Sequence, residues 1–397
     1  MATPKWIQNT MSPSDSPYLD LMKDDQLKQV RHFHQTFPMY QPTPLVSLPH
    51  MAQRLGVADI KVKDESYRFG LNAFKVLGGA YAIGQYIADR LHKPIEQISY
   101  DYLTSDDFKN NFQPTTFYTA TDGNHGRGVA WAANQLGQRS VVRMPWGSTA
   151  YRADAIAREN AEVTIEDMNY DACVRLAYEQ SQADSNGVMV QDTAWEGYED
   201  IPSWIMQGYG TIADEIMEQM PQPPSHIFAQ AGVGSFAGSM VGAFALKYPE
   251  NRPKMIVVEA EHCECLFLSA NNKQVTHVEG EMKTIMAGLA CGEPNSVSWE
   301  ILKTFTDVFM VVDDKTAEAG MRLLGAPLKG DDQIISGESG VAGFAAFVAI
   351  MTDPALKDLK QLLEIDEQSR ILFVNTEGDT DPERYDQIVR QGISIEL

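Results

Sequence analysis

A chain of 397 residues is long enough for two domains and a sizeable core. Lys and Arg number 32 against 54 Asp and Glu; the net charge of −22 excludes nucleic-acid backbones and anionic membrane surfaces as partners, and the 44% hydrophobic share excludes disorder as the main state. The polar N-terminus has no signal-peptide pattern, no run of about 18 apolar residues occurs, and Cys173, Cys263, Cys265 and Cys291 are too few for a disulfide framework, so a cytoplasmic enzyme or binding protein is expected.

Residues 60–63 alternate apolar and polar and predict a strand. Asn72 is placed to cap a helix running to about residue 91, with Phe74, Leu77, Ala80, Tyr81 and Ile87 on its apolar side. Residues 93–114 are polar and read as irregular. A strand at 116–120 leads through a glycine-containing loop into a helix ending near Gly137. Further strands are expected at 140–144, 162–165, 188–191, 226–230, 255–259, 308–312 and 371–375, most of them separated by helical patterns. That alternation predicts an α/β protein of two domains, each a mostly parallel twisted sheet flanked by helices. The expected division is residues 1–85 with 205–397 as a larger, cofactor-binding unit and 86–204 as a smaller one.

Open α/β sheets bind ligands beyond the carboxyl ends of their strands, which selects the loops after 120, 230 and 375 and the turn before Lys75. The loop Gln230-Ala231-Gly232-Val233-Gly234-Ser235-Phe236-Ala237-Gly238 opens a helix, where free N–H groups hold an anion. Its G-x-G-x-x-x-G spacing is one residue longer than the dinucleotide fingerprint, yet Glu259 ends the next strand, where a ribose-binding acid sits. A phosphate cradle, a dinucleotide-binding oxidoreductase and a tight packing turn all remain open. Lys75, among Phe74, Val76 and Leu77 at a helix start, is expected to have a lowered pKa, as an imine-forming lysine needs; the rival is a lysine that snorkels to water.

Asp122 and Asp192 are acids directly after strands, where a helix cap or a plain loop residue would serve equally well. His125 is read as structural, with a general base as the alternative. His262-Cys263-Glu264-Cys265 is too crowded for a metal site and has no second pair at zinc spacing, so no metal is expected.

Together, Asn72-Ala73-Phe74-Lys75, Thr121-Asp122-Gly123-Asn124-His125 and the Gly232 loop resemble the fold type II family of pyridoxal-phosphate enzymes, the tryptophan synthase β-like group. Within it, residues 63–66, 72–79, 121–131, 192–198, 285–294, 335–340 and 376–381 are most similar to the diaminopropionate ammonia-lyases, with the similarity running from about 42 to 381. The resemblance implies pyridoxal 5'-phosphate held covalently on Lys75, with Phe74 and Asn124 beside its ring and its phosphate on Gly232, Val233, Gly234 and Ser235. It puts the Thr376 hydroxyl against the pyridine nitrogen and Glu338 near the ring. It makes Lys75, Asp122 and Asp192 catalytic in the elimination of D- or L-2,3-diaminopropionate to pyruvate and two ammonia by a homodimer. A serine or threonine dehydratase of the same fold is the alternative, but such enzymes carry a small residue where Asp122 stands.

Overall fold

The computed structural model describes residues 3–12 and 14–395; residues 1–2 and 396–397, the ends of the expected larger unit, and residue 13 lie outside the description. Eleven strands are found among the described residues: β1 (Lys5–Gln8), β2 (Leu45–Ser47), β3 (Asp59–Asp64), β4 (Thr116–Ala120), β5 (Arg139–Met144), β6 (Glu162–Ile165), β7 (Gly187–Met189), β8 (His226–Gln230), β9 (Lys254–Ala260), β10 (Val308–Val312) and β11 (Arg370–Asn375). They form a seven-stranded sheet ordered β1-β10-β9-β8-β11-β3-β2 and a four-stranded sheet ordered β6-β5-β4-β7. The small sheet is wholly parallel; the large one is parallel except at its edges, where β1 and β2 run antiparallel to β10 and β3. The small sheet's strands lie between 116 and 189, and the large sheet's lie outside 86–204.

The central strands are apolar on both faces because helices cover both. Successive side chains alternate sides: Ile227, Val257, Phe309 and Leu372 enter one core, and Phe228, Ile256, Met310 and Phe373 enter the other. No helix among the described residues is long and apolar enough to cross a membrane.

Three departures from the expected elements have local causes. The short edge strands β1 and β2 were not expected; each is too brief to show an alternating pattern. Residues 93–114 are not irregular: short helices Tyr100–Thr104 and Asp106–Asn111 begin at Ser99 and Ser105, whose hydroxyls accept the N–H groups of Tyr102 and Phe108. Leu103 and Phe108 bury this polar stretch against the core.

The third departure bears on the site. Asn72 caps nothing; the helix it was expected to start runs Val76–Leu91. Residues 71–75 instead pair with the loop after β11: Phe74 N–H donates to Thr376 O at 3.2 Å and Gly378 N–H to Asn72 O at 3.0 Å. Asn72 takes a positive φ of 61°, which asparagine tolerates better than most residues, and its amide donates to Asp379. A backbone engaged this way cannot also enter a helix, so Lys75 becomes the last residue before it.

Beneath this turn lies a fully buried charge cluster. Lys63 Nζ reaches Glu215 Oε2 at 2.6 Å, and Arg68 bonds both Glu65 and Glu215 at 2.8–2.9 Å. Two acids meet two bases, all at most 1% exposed, with Thr43 and Gln219 satisfying further donors and acceptors.

Candidate active site

In the small sheet the chain starts at β4, winds outward through β5 and β6, then returns to β7 on the other side of β4. In the large sheet β11 returns between β3 and β8. Each reversal opens a crevice at the strands' carboxyl ends, and the two crevices face one cavity. The turn after β3 brings Lys75, the loop after β4 brings Thr121, Asp122 and Asn124, and the loop after β7 brings Asp192. The loop after β8 brings Gly232–Ser235, and that after β11 brings Thr376 and Glu377.

Lys75 Nζ lies 2.5 Å from Asp192 Oδ2, the lysine side chain 19% and the aspartate 4% exposed. The snorkelling reading therefore fails, and so does the expected lowering of the Lys75 pKa. Burial does pull the ammonium down, but the Asp192 charge beside it wins, and the net shift is upward. For Asp192 burial works upward, and the Lys75 charge overcomes it, holding the carboxyl at about 2. Asp192 is fixed through its own carbonyl oxygen, which accepts from Ser235 Oγ at 2.9 Å and Asn295 Nδ2 at 2.6 Å.

Asp122 stands on the opposite rim with 28% of its side chain exposed and Arg152 Nη1 at 3.7 Å. Burial raises its carboxyl pKa, against the pull of Arg152. His125 also lines the cavity: its Nε2 meets Val190 O at 2.9 Å, and its Nδ1 is buried without a hydrogen-bond partner.

The helix Ser235–Lys247 begins at Gly234, whose φ of +103° suits glycine. A Cβ there would also meet Ser298 Oγ at 2.9 Å. The first N–H groups of a helix have no partner within it, so this loop and helix end offer donors to an anion. Phe74 packs its ring between Tyr209 and Phe236, at 4.7 and 4.9 Å. Thr376 Oγ1 accepts from Gln230 Nε2 at 3.0 Å, which leaves its own proton to donate. Asn124 Nδ2 is engaged by Glu377 Oε2 at 2.5 Å.

These features fit pyridoxal phosphate: a lysine among aromatic rings, an anion cradle, and a neutral hydroxyl donor for a ring nitrogen. Glu338 does not line the cavity. It is buried beside Arg384 at 3.7 Å, its Oε1 has no hydrogen-bond partner, and burial pushes its pKa to about 7. Glu259 is no ribose ligand: it is fully buried and accepts the N–H groups of Leu266 and Phe267, capping the helix Cys265–Asn272. Sequence reasoning missed Gln230 and Glu377; the signal available was that each ends or directly follows a parallel strand at the crevice.

Residues 36–377 match the family described as pyridoxal-phosphate dependent enzyme. The chain is 49% identical over 383 residues to the diaminopropionate ammonia-lyase of Salmonella typhimurium, covering 95% of each sequence. It is 47% identical to that of Escherichia coli strain K12, covering 94% and 93%. The crystal structure of the Escherichia coli enzyme in complex with an aminoacrylate-PLP azomethine reaction intermediate superimposes with a TM-score of 0.90 at 44% identity, over 99% of this chain and 98% of that one.

Proposed function

The chain belongs to the pyridoxal-phosphate-dependent enzymes, with the fold type II architecture, and on that footing we propose α,β-elimination of 2,3-diaminopropionate, D or L, to pyruvate and two ammonia. The observation that carries this reading is the pair of acids, Asp122 and Asp192, facing one cavity from two loops, alongside 49% identity to an ammonia-lyase. A substrate with two ammonium groups needs anionic partners, and a dehydratase acting on a neutral hydroxyl does not.

Pyridoxal phosphate, when bound, supplies the electron sink for the charge left at Cα. Lys75 would hold it covalently, with Phe74 and Asn124 at its ring. The Gly232–Ser235 backbone would hold its phosphate at the helix N-terminus. Thr376 would offer a hydroxyl donor to the ring nitrogen without adding charge. Asp192, 2.5 Å from Lys75 Nζ, steadies the positive charge of this amine whenever it carries its proton. Asp122 and the Lys75–Asp192 pair come from different loops and serve as bases for opposite Cα configurations: Asp122 for the D substrate, Asp192 with Lys75 for the L. The acid not taking the α-proton faces the β-ammonium, which leaves as ammonia; the enamine product then hydrolyses in water. Residues 1–85 with 205–397 form the cofactor-binding unit and 86–204 the smaller one. A homodimeric state rests on the family resemblance alone.

The test is pyruvate release from D- and L-diaminopropionate against serine and threonine. Turnover of both diaminopropionate enantiomers well above serine is expected. Preference for serine or threonine would make the protein a dehydratase.

A further inference from the structure

Asp122 sits between two cavities. One holds Lys75 and Asp192; a second is lined by Trp146, Arg152 and Arg384, and the two share Asp122, Tyr170 and Cys291. Arg152 lines only the outer one. It comes from the helix Ala150–Ala157, which follows β5. Its aliphatic stem lies across Gly123, where an added Cβ would meet Arg152 Cδ at 3.2 Å. Its side chain is 10% exposed, its Nη1 is 3.7 Å from Asp122 Oδ2, and its Nε is buried without a hydrogen-bond partner. A guanidinium buried this deeply, with a donor left unbonded, costs free energy that packing alone does not return. At 3.7 Å it acts on Asp122 by charge, without occupying the oxygen lone pairs needed to accept a proton.

We propose that Arg152 is the positioning residue for Asp122, reaching it from the outer cavity and keeping it an anion aimed at the inner one. The inference rests on the reading of Asp122 as a proton acceptor. The other groups acting on Asp122 are Glu377, Lys75, Tyr170 and Cys291; those acting on Arg152 are Glu338, Glu377 and Asp381. Burial raises the Asp122 pKa and Arg152 is the largest opposing influence, so removing the guanidinium moves the carboxyl further up. A base must be ionised to accept a proton, so activity carried by Asp122 is then lost first on the acid side.

The experiment compares Arg152→Gln, Arg152→Lys and Asp122→Asn in the holoenzyme, with thermal melting as the folding control. In Arg152→Gln the acid limb of kcat/KM for the D substrate should move up by about one pH unit or more. The limb for the L substrate should stay, and Arg152→Lys should restore most of the shift. In parallel, carboxyl ¹³C NMR of aspartate-labelled protein follows Asp122 itself, identified as the signal absent from Asp122→Asn. Its titration midpoint should rise in Arg152→Gln. An unmoved NMR midpoint overturns the inference, as does an equal rise of KM for both enantiomers with fixed limbs, which would make Arg152 a binder of the substrate carboxylate. If Asp122→Asn leaves turnover of both enantiomers intact, the reading of Asp122 fails, and the NMR midpoint still decides what Arg152 does.

Discussion

Lys75 is partly buried and charged, and Asp192 is what makes that tolerable. The ammonium also lies over the faces of Phe74 and Tyr209, 5.7 and 6.0 Å from the ring centroids, where the ring quadrupole favours a cation. Replacing Asp192 by Asn removes the counter-charge and leaves burial to act alone, so the amine should lose its proton more readily. Trapping of pyridoxal phosphate on Lys75 with borohydride, followed by peptide mapping across pH, should show adduct formation starting at lower pH in Asp192→Asn. Turnover should fall by about 10²–10⁴-fold with the loss of the base. Lys75→Ala should yield no adduct on that peptide. Superimposable trapping profiles in wild type and Asp192→Asn would mean that the pair does not govern the amine. The pair also ties stability to pH: the Asp192 carboxyl moves from 3.8 to about 2 on folding. Its contribution is present above pH 4 and is lost as the pH falls toward 2.

Elements with a strong period were legible from residues alone: β4, β6, β8 and β10 begin and end where expected. Branched or aromatic residues make up most of β4, β6 and β10. The start of the helix at Val76 was not legible. Asn72 has the chemistry of a cap, and only the loop at 376–378, three hundred residues away, diverts its backbone. The same limit hid the Asp192 partner of Lys75 and the Arg152 behind Asp122, because apolar neighbours in sequence do not show which charge arrives from another strand. That the glycine loop would line a cavity was legible, but the role of Glu259 was not, since a helix cap and a ribose ligand look alike at a strand end. Glu259 carries a prediction of its own. Burial lifts its carboxyl to about 8, against the two N–H groups that it accepts. A carboxyl raised on folding gives stability that is present below its unfolded value of 4.5 and lost as pH rises through 8. Glu259→Gln should flatten the stability profile between those limits in urea titrations; an unchanged slope would show that the carboxyl is already ionised at neutral pH.

At the scale of the molecule, two sheets that share one hydrophobic cluster, Phe117 of the small one with Ile227, Val257 and Leu372 of the large one, both contribute loops to one cavity. A ligand bound there contacts both, so its binding energy is shared between them. At a hundred times Kd, pyridoxal phosphate should stabilise the protein by about 2.7 kcal/mol. Hydrogen exchange should slow in the loops after both β4 and β8; slowing confined to one would mean that the ligand sits on a single sheet. The buried charges under the Lys75 turn have a different consequence, for how the chain finds this arrangement. Lys63 lies on the face of β3 opposite Ile60 and Val62, which fill the large sheet's second core. Sliding β3 by one residue against β11 would turn Lys63 into that core and take it from Glu215, which comes from a helix 152 residues later. An uncompensated buried ion costs several kcal/mol, far more than a mispaired apolar strand would. The cluster thus works as an error check on strand register, rejecting the misaligned sheet that would aim Lys75 away from its cavity.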